Sequence, residues 1–271
     1  LGSGNFGTVY AAFHVHLERR VAIKVLHDRF SSREEVVRRL RHEGVSTCQI
    51  DHPNAVRVLD LSLTRRGEPF LVMELLEGQS LDVALDDAPA GRLSVSRIAA
   101  ILTPVCHVLA ASHQAGILHL DIKPGNIFLH EQGDDTVVKV VDFGIVRMVS
   151  THDAESSEVQ TRSFEGTPPY ASLERLVAEP FGPKADVYSV GVVLYEALAG
   201  RRPYLAKTPM HLISLLMRED FPPLQTLRPT IPSAVAELCT RCLSANPARR
   251  PSAAELADAL APWARSGSVT S

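Results

Sequence analysis

Cysteine and long apolar runs are scarce in this sequence, and each shortage excludes a class of protein. Four of the 271 residues are cysteines, too few for a disulfide framework in a chain of this length. Cys239 and Cys242 form a lone CxxC within a helical pattern, so we interpret them as ordinary helix cysteines rather than zinc ligands. The sequence has no signal peptide and no run of 18 apolar residues. We therefore expect a cytoplasmic segment without membrane contact.

The sequence also lacks an excess of positive charge. Its 28 Lys and Arg residues face 31 Asp and Glu residues, which gives a net charge of −3. Proteins that bind nucleic acid usually carry a basic face, so we expect no nucleic-acid partner. Hydrophobic residues make up 45% of the chain, enough for the core of a globular protein with one or two lobes.

The first part of the chain is rich in strand patterns. Residues 8–30 alternate as two strands joined by a polar turn, and two further strands are predicted near 55–63 and 69–75. Between the two pairs, residues 33–48 change to a helical period. These patterns predict a small β-rich lobe over residues 1–76.

Helical patterns dominate after Gly78. A long helix is predicted over 94–115, a strand pair around 127–141, and several helices after it. We therefore predict a larger helical lobe over residues 77–262, followed by a polar tail over 263–271.

The first ten residues, LGSGNFGTVY, contain three closely spaced glycines. Such glycines let backbone N–H groups approach phosphate oxygens, because no side chain blocks the approach. A dinucleotide fold would place this pattern at the start of a helix, whereas a strand follows here; a plain hairpin turn is the other alternative. Since no strand precedes the glycines, we expect a piece of a longer protein, and a membrane anchor or sensor domain in that parent is left open.

Lys24 ends the second predicted strand, with apolar neighbours on both sides. A buried ammonium group needs a partner. Glu43 is the one carboxylate on the apolar stripe of the helix predicted over 33–48. The pattern therefore favours an ion pair between Lys24 and Glu43, with two unrelated surface charges as the alternative.

The segment ILHLDIKPGNIFL, residues 117–129, places an acid, a base and an amide on one loop. The three are Asp121, Lys123 and Asn126, and a proline and a glycine between them prevent regular structure. Polar groups on a loop with anchored ends are typical of a functional site, and a solvated turn is the alternative.

Asp142 follows an apolar strand and begins the triplet Asp-Phe-Gly. Asn126 and Asp142 would together offer two oxygen ligands of the kind that Mg²⁺ takes. Such a site is incomplete until substrate phosphates supply further oxygens.

The motifs GxGxxGxV, VAIK, HxDxKPxN and DFG, in this order and spacing, resemble the protein kinase family. The resemblance extends over essentially the whole chain, through GTP at 166–168, DVYSVG at 186–191 and NPARRP at 246–251. Lys123 is similar to the Ser/Thr class, and the segments DFGIVR and GVVLYEALAGRRPY resemble bacterial eukaryotic-like Ser/Thr kinases. The resemblance implies an α+β, bilobal protein-kinase-like fold with a small β-rich N-lobe and a larger helical C-lobe.

The resemblance also implies roles for the polar residues. Lys24, held by Glu43, would contact the α- and β-phosphates of ATP, and Asn126 and Asp142 would hold Mg²⁺, with Mn²⁺ as an alternative ion. Asp121 would accept or orient the proton of a Ser or Thr hydroxyl. Lys123 would steady the γ-phosphate. The implied partners are ATP and protein substrates with Ser or Thr, this chain included.

The nucleotide would lie between the lobes. Adenine would stack between Val9 and Ala22 above and Phe128 below, and would bond to backbone groups of Glu74 and Leu76; ordinary core packing is the alternative for the apolar members. The full predicted nucleotide-binding set is Leu1, Gly2, Ser3, Gly4, Asn5, Phe6, Gly7, Val9, Ala22, Lys24, Met73, Glu74, Leu76, Phe128 and Asp142.

Three structural ties follow from the same resemblance. Asp186 would hold the backbone of the catalytic loop. Glu174 would pair with Arg250 deep in the helical lobe, and Thr167 would bond near the catalytic acid and lysine.

Two positions depart from the family pattern. Leu120 stands where the family commonly has an Arg that meets a phosphate on the activation segment, here about 145–174. Because leucine has no charge to neutralise, we hypothesise that activity depends less on phosphorylation of this segment. The segment does carry candidate acceptors, at Ser156, Ser157, Thr161 and Ser163. Leu173 replaces a usual proline, so substrate specificity is the least transferable property.

An ATP-binding pseudokinase or scaffold module is the main alternative function. Pseudokinases usually lose one of the four groups at Lys24, Asp121, Asn126 and Asp142, and all four are present here. A small-molecule kinase is disfavoured by the long Ser/Thr-bearing segment and the intact GTP motif.

Overall fold

The computed structural model describes residues 1–3, 7–15, 18–26, 50–64, 69–143 and 167–264. The helix predicted over 33–48, with Glu43, lies outside the described residues. So do Gly4, Asn5 and Phe6 of the glycine loop, and the four candidate phosphorylation sites of the activation segment.

The first lobe contains an antiparallel five-stranded sheet with the strand order β1-β2-β3-β5-β4. The strands are β1 (Gly2–Ser3), β2 (Gly7–His14), β3 (Arg19–Leu26), β4 (Val58–Leu63) and β5 (Pro69–Glu74). In the register of β2 with β3, Val9 lies opposite Lys24, and Ala22 of β3 lies opposite Met73 of β5. One face of the sheet therefore carries its small apolar core next to the lysine.

A second, three-stranded sheet begins the other lobe. It consists of β6 (Gly78–Ser80), β7 (Ile127–Gln132) and β8 (Asp135–Val140), in that order. A two-residue turn joins β7 to β8, and Gly133 takes the positive φ of 63° that such hairpins favour. The strand β6 was not predicted from the sequence, because three residues are too few to show a period.

Two backbone hydrogen bonds connect the first lobe to the end of β8. The N–H of Val140 donates to the carbonyl of Asn54 at 2.7 Å, and the carbonyl of Val140 accepts from the N–H of Val56 at 2.9 Å. Because Asp142 is only two residues further along, these bonds fix the position of its backbone relative to the first sheet.

Helices form the rest of the second lobe. They are α1 (Leu81–Asp86), α2 (Val95–Gln114), α3 (Leu173–Leu176), α4 (Lys184–Ala199), α5 (Pro209–Arg218), α6 (Leu224–Leu227), α7 (Ser233–Cys242) and α8 (Ala253–Ala264). Nearly every residue of α4 is buried, so it is the central helix of the lobe. It ends at Gly200, which has a φ of 74°, the left-handed conformation common at helix ends.

Helix α2 begins at a clear capping signal. The side chain of Ser94 accepts a hydrogen bond from the N–H of Arg97. Among the described residues, α2 is the one helix long and apolar enough to cross a membrane by length and composition. Half of its most apolar window is buried inside the lobe and α2 packs against α8, as expected for a core helix.

The bilobal α+β fold predicted from the sequence is confirmed. The strands near 55–63 and 69–75, the long helix over 94–115 and the strand pair around 127–141 all lie within three residues of their predicted ends. Of the two strands predicted over 8–30, β2 covers Gly7–His14 and β3 covers Arg19–Leu26, and residues 27–30 lie outside the described residues. The last helix continues to Ala264, two residues into the stretch interpreted as a polar tail. The boundary between the lobes at residue 76 stays a prediction.

Candidate active site

The loop between α2 and β7 carries Asp121 on a fixed backbone. The N–H of Asp121 donates to Nδ1 of His119 at 3.2 Å, and Nε2 of the same ring donates to the carbonyl of Val141 at 3.2 Å. The ring of His119 is fully buried and packs against Phe143, with 4.5 Å between ring centroids. Burial lowers the pKa of His119, despite the opposing attraction of Asp186, so the ring stays neutral.

The carboxylate of Asp121 is surrounded by hydrogen-bond donors. Nζ of Lys123 donates to Oδ2 at 2.7 Å, and the hydroxyl of Thr167 donates to Oδ1 at 2.9 Å. Lys123 also donates to the Thr167 hydroxyl at 3.0 Å, so the three side chains close a ring of contacts. This agrees with the sequence-based expectation for Thr167.

Asn126 lies on a single turn of 3-10 helix over Pro124–Asn126. Its side-chain nitrogen donates to the backbone carbonyl of Asp121 at 2.8 Å and to Oδ2 at 3.1 Å. These bonds fix the amide plane and leave its oxygen on the opposite side of the group. The base and the amide that the sequence placed on one loop with the acid therefore both contact the acid directly.

Lys24 reaches across from the first sheet to Asp142. Its Nζ lies 2.9 Å from Oδ1 of Asp142, and the lysine is 9% exposed. Partial burial would raise the pKa of Asp142, but the adjacent ammonium of Lys24 outweighs it, so the pKa lies below its ordinary value and the carboxylate is ionised. The expected partner Glu43 lies outside the described residues, and its pairing with Lys24 stays a prediction.

Asp142 has a positive φ of 56°, which is unusual for a residue with a side chain. The next residue, Phe143, is fully buried against His119. The N–H of Val141 donates to the backbone carbonyl of Asn126 at 3.0 Å. Asp142 and Asn126 are thus held on adjacent backbone segments at the same end of the β7–β8 pair, opposite its turn.

The chemistry of this pair fits a divalent cation. A carboxylate and an amide oxygen are hard ligands of the kind that Mg²⁺ takes, usually together with water and phosphate oxygens. Among the described residues, no group of three or more His, Cys, Asp or Glu side chains could hold a metal ion. Asn126 and Asp142 would therefore need oxygens from a bound phosphate to complete the coordination.

The apolar residues predicted to hold adenine mostly meet in one cluster. Val9, Ala22, Met73 and Leu76 pack together, and Val141 joins them from the second lobe. Phe128 is half-buried on β7 and is not a member of this cluster. Its position below the adenine therefore stays a prediction.

Several residues of the predicted nucleotide set already take part in backbone pairing within the sheet. The N–H of Glu74 donates to the carbonyl of Arg57, so this N–H is not available to a ligand. The amino terminus of Leu1 donates to the carbonyl of Val9, and Gly2 pairs with Val9 in the sheet. Ser3 pairs with Thr8 beside Gly7, the first residue of β2.

Asp186 of α4 holds the backbone of the loop just before Asp121. Its fully buried carboxylate accepts from the N–H groups of His119 and Leu120, at 3.0 and 2.7 Å, and from Nε2 of His113 at 2.8 Å. Burial would raise the pKa of Asp186, but the bond from His113 and the other donors outweigh it, so the pKa is lowered. The predicted tie between Asp186 and the loop is confirmed.

The predicted pair of Glu174 and Arg250 is also confirmed. The two groups form a bidentate ion pair at 2.6 and 2.9 Å, and the guanidinium carbon lies 5.1 Å from the ring centroid of Tyr188. The pair is buried, with Glu174 at 5% and Arg250 at 2% exposure. It fixes α3 against the core of the second lobe.

Sequence reasoning missed three contributors to the site. His119 and Val141 are identified only by their contacts, although the motif around Asp121 includes the histidine. Arg175 of α3 donates to the carbonyl of Leu120 at 2.5 Å. No local pattern indicates this contact, because the two residues are 55 positions apart.

A two-lobed fold with a buried lysine from the small sheet, an acid–lysine–amide loop and a second acid after β8 is that of a phosphotransferase of the protein kinase type. The chain belongs to the protein kinase family, because the protein kinase domain matches it over residues 1–262. This family in general uses ATP and a divalent metal ion.

Several bacterial serine/threonine-protein kinases are similar to this chain. Serine/threonine-protein kinase pkn2 of Myxococcus xanthus is 37% identical over 96% of this chain and 31% of its own length. PknL of Mycobacterium tuberculosis is 36% identical over 92% of this chain and 60% of its own length. PknA of the same species is 36% identical over 96% and 59%. The chain thus spans 31% to 60% of the length of these relatives.

Proposed function

We propose that this domain is an active serine/threonine protein kinase of the non-specific class, which transfers the γ-phosphate of ATP to Ser or Thr hydroxyls of proteins, itself included. The observation that carries the proposal is the environment of Asp121. Its carboxylate is held by Lys123, Thr167 and Asn126 at 2.7 to 3.1 Å. An acid fixed in this way can accept or orient the proton of an incoming hydroxyl.

Phosphoryl transfer requires alignment and charge compensation more than covalent chemistry. Lys123, already 2.7 Å from the acid, would compensate negative charge on the γ-phosphate. Lys24 would contact the α- and β-phosphates while its bond to Asp142 keeps that carboxylate ionised. Mg²⁺ held by Asn126 and Asp142, with Mn²⁺ as an alternative, would neutralise phosphate charge when bound.

The remaining assignments belong to the same proposal. The nucleotide would occupy the space beside Val9, Ala22 and Met73, whose clustering supports an apolar adenine site. The lobe boundary would fall after residue 76, and the domain would act in the cytoplasm on proteins that carry Ser or Thr.

Incubation with labelled ATP and Mg²⁺ tests the proposal directly. We expect label on the chain or on a generic basic protein, and a loss of about hundredfold or more in Asp121→Asn. Asp258→Asn, an exposed acid on α8, is the matched control and should label like the wild type. If the wild type binds ATP in a thermal shift assay but transfers no label, the pseudokinase or scaffold alternative is correct.

A further inference from the structure

We propose that Arg175 is a positioning residue for Asp121, which it holds through the backbone of Leu120. The inference rests on the proposed kinase function and adds a residue to its machinery. It is carried by one contact, the bond at 2.5 Å from the Arg175 guanidinium to the carbonyl of Leu120. That carbonyl belongs to the peptide unit whose N–H is that of Asp121 itself.

Leu120 needs this support because its backbone is unusual. Its φ is 63°, a left-handed conformation that is unfavourable for a residue with a branched side chain. The side chain is 2% exposed and packs with Leu118 and Ala185, with Phe181 against them. Such a conformation persists only where the surroundings determine it completely.

The two backbone polar groups of Leu120 are held from opposite sides. Its N–H donates to Asp186 of α4, and its carbonyl accepts from Arg175 of α3. Bonds to charged groups are stronger than those between neutral groups. Together they fix the peptide units on both sides of Leu120, and so the direction in which Asp121 leaves the chain.

Helix α3, which carries Arg175, is itself fixed in position. Its neighbouring residue Glu174 is locked to Arg250 in the core of the lobe. Since Thr167 also bonds the Asp121 carboxylate, residues 167–175 contact the catalytic loop at two points, one at the carboxylate and one at the backbone before it.

The positive charge next to the backbone of Leu120 belongs to Arg175, and this makes the contact independent of phosphorylation. Position 120 carries an apolar side chain, and the cation at this junction comes from position 175. Its partner is a main-chain carbonyl, which is present in every state of modification. The tie therefore requires no phosphate group.

A structural role alone would predict a different outcome from a positioning role. A residue that only stabilises the fold would lower the unfolding temperature and leave the turnover of the folded fraction unchanged. A positioning residue acts on kcat, because misplacement of a catalytic group costs rate even in a folded enzyme.

The test compares Arg175→Gln and Arg175→Lys with Arg241→Gln, an exposed arginine on α7. We expect Arg175→Gln to lower kcat by about tenfold or more, with KM for ATP within about twofold of the wild type. Arg175→Lys keeps a charged donor and should recover most of the rate, whereas Arg241→Gln should match the wild type. Thermal unfolding of each variant gives the folded fraction.

Two results would overturn the inference. One is a kcat of Arg175→Gln equal to that of Arg241→Gln, and the other is a loss explained by unfolding and not recovered by lysine. If the glutamine variant does not fold, Phe181→Leu decides, since it removes the ring 6.0 Å from the guanidinium but keeps the apolar contact. It should lower kcat in the same direction, and an unchanged kcat refutes the inference. A wild type without Asp121-dependent labelling refutes the proposed function instead.

Discussion

Oδ1 of Asp186 accepts a hydrogen bond from the N–H of Leu120 at 2.7 Å, although the two residues are 66 positions apart. The same carboxylate accepts from His119 and His113, so one buried acid of the central helix holds the loop that carries Asp121, Lys123 and Asn126. The rigid part of the site therefore belongs to the helical lobe.

We expect Asp186→Asn to damage both stability and activity. The amide nitrogen of asparagine would face donors that now bond an oxygen, leaving at least one N–H buried without an acceptor. The free energy of unfolding should fall by about 2 to 4 kcal/mol, and kcat should fall with it. Urea unfolding and a phosphotransfer assay measure the two effects. Equal stability in Asp186→Asn and Asp258→Asn would contradict the assigned role.

Replacement of Lys24 should greatly reduce phosphotransfer activity but change the stability of the fold only slightly. Lys24→Met removes the ammonium that would meet the nucleotide phosphates and should reduce phosphotransfer by about hundredfold or more. Its partner Asp142 is 41% exposed, so solvent limits the cost to the fold. The exposed Lys207, changed in the same way to methionine, is the control. A Lys24→Met variant as active as Lys207→Met would exclude this role.

Treatment with a phosphatase tests whether Leu120 makes activity less dependent on phosphorylation of the activation segment. An arginine at position 120 would place a buried cation there that lacks a countercharge until a phosphate reaches it. The side chain present is a buried leucine in an apolar cluster. We expect the treated enzyme to keep most of the rate of an untreated sample. A fall in the phosphotransfer rate of about hundredfold or more after phosphatase treatment would contradict the hypothesis that activity depends little on phosphorylation of the activation segment.

The pair of Glu174 and Arg250 should make stability depend on pH in the acid range. Burial would raise the pKa of Glu174, but its bonds to Arg250 outweigh this and hold the pKa below the ordinary value of 4.5. As the pH falls, Glu174 is protonated in the unfolded chain before it is protonated in the folded one. The stabilisation from the ion pair is therefore fully present above about pH 4.5 and is lost as the pH falls through the pKa of the folded state.

Glu174→Gln provides the comparison. At neutral pH it leaves the buried Arg250 without a countercharge, which should cost about 3 kcal/mol of the free energy of unfolding. Because the wild type loses the same pair in acid, the difference between the two proteins should narrow below pH 4.5. A difference that stays constant from pH 7 to pH 3 would contradict this account.

Gly191 tests the packing of the central helix. A Cβ added there would lie 2.6 Å from Cβ of Cys242, well inside van der Waals contact. Gly191→Ala should therefore destabilise the domain by about 1 to 3 kcal/mol in chemical denaturation. Gly182 has no atom within 4 Å of an added Cβ, so Gly182→Ala should change stability by no more than about 0.5 kcal/mol. Equal effects would show that α4 and α7 separate easily.

Features of the fold and the site could be predicted from the sequence where they depend on residues close together in the chain. Alternation identified β2 and β3, the proline and glycine of the 117–129 segment identified its loop, and the order of four motifs identified the family. The contacts of Asp121 with Lys123 and Asn126 follow from the same short segment, since all three lie within six residues.

The remaining features depend on contacts that no local pattern encodes. The left-handed backbone of Leu120 is explained only by Asp186 and Arg175, which lie on two other elements. The pairing of Lys24 with Asp142 joins positions 118 residues apart. Phe128 was placed below the adenine by motif position alone, and strand alternation cannot say which lobe its ring contacts.

The burial of three cysteine thiols determines how they react with oxidants. Cys106, Cys239 and Cys242 are all fully buried, and burial raises the pKa of each, that of Cys242 to about 12. Hydrogen peroxide attacks the thiolate rather than the thiol, and it must reach the sulfur to do so. During oxidative stress these three side chains should stay reduced, so that peroxide leaves the helical lobe chemically unchanged at these positions.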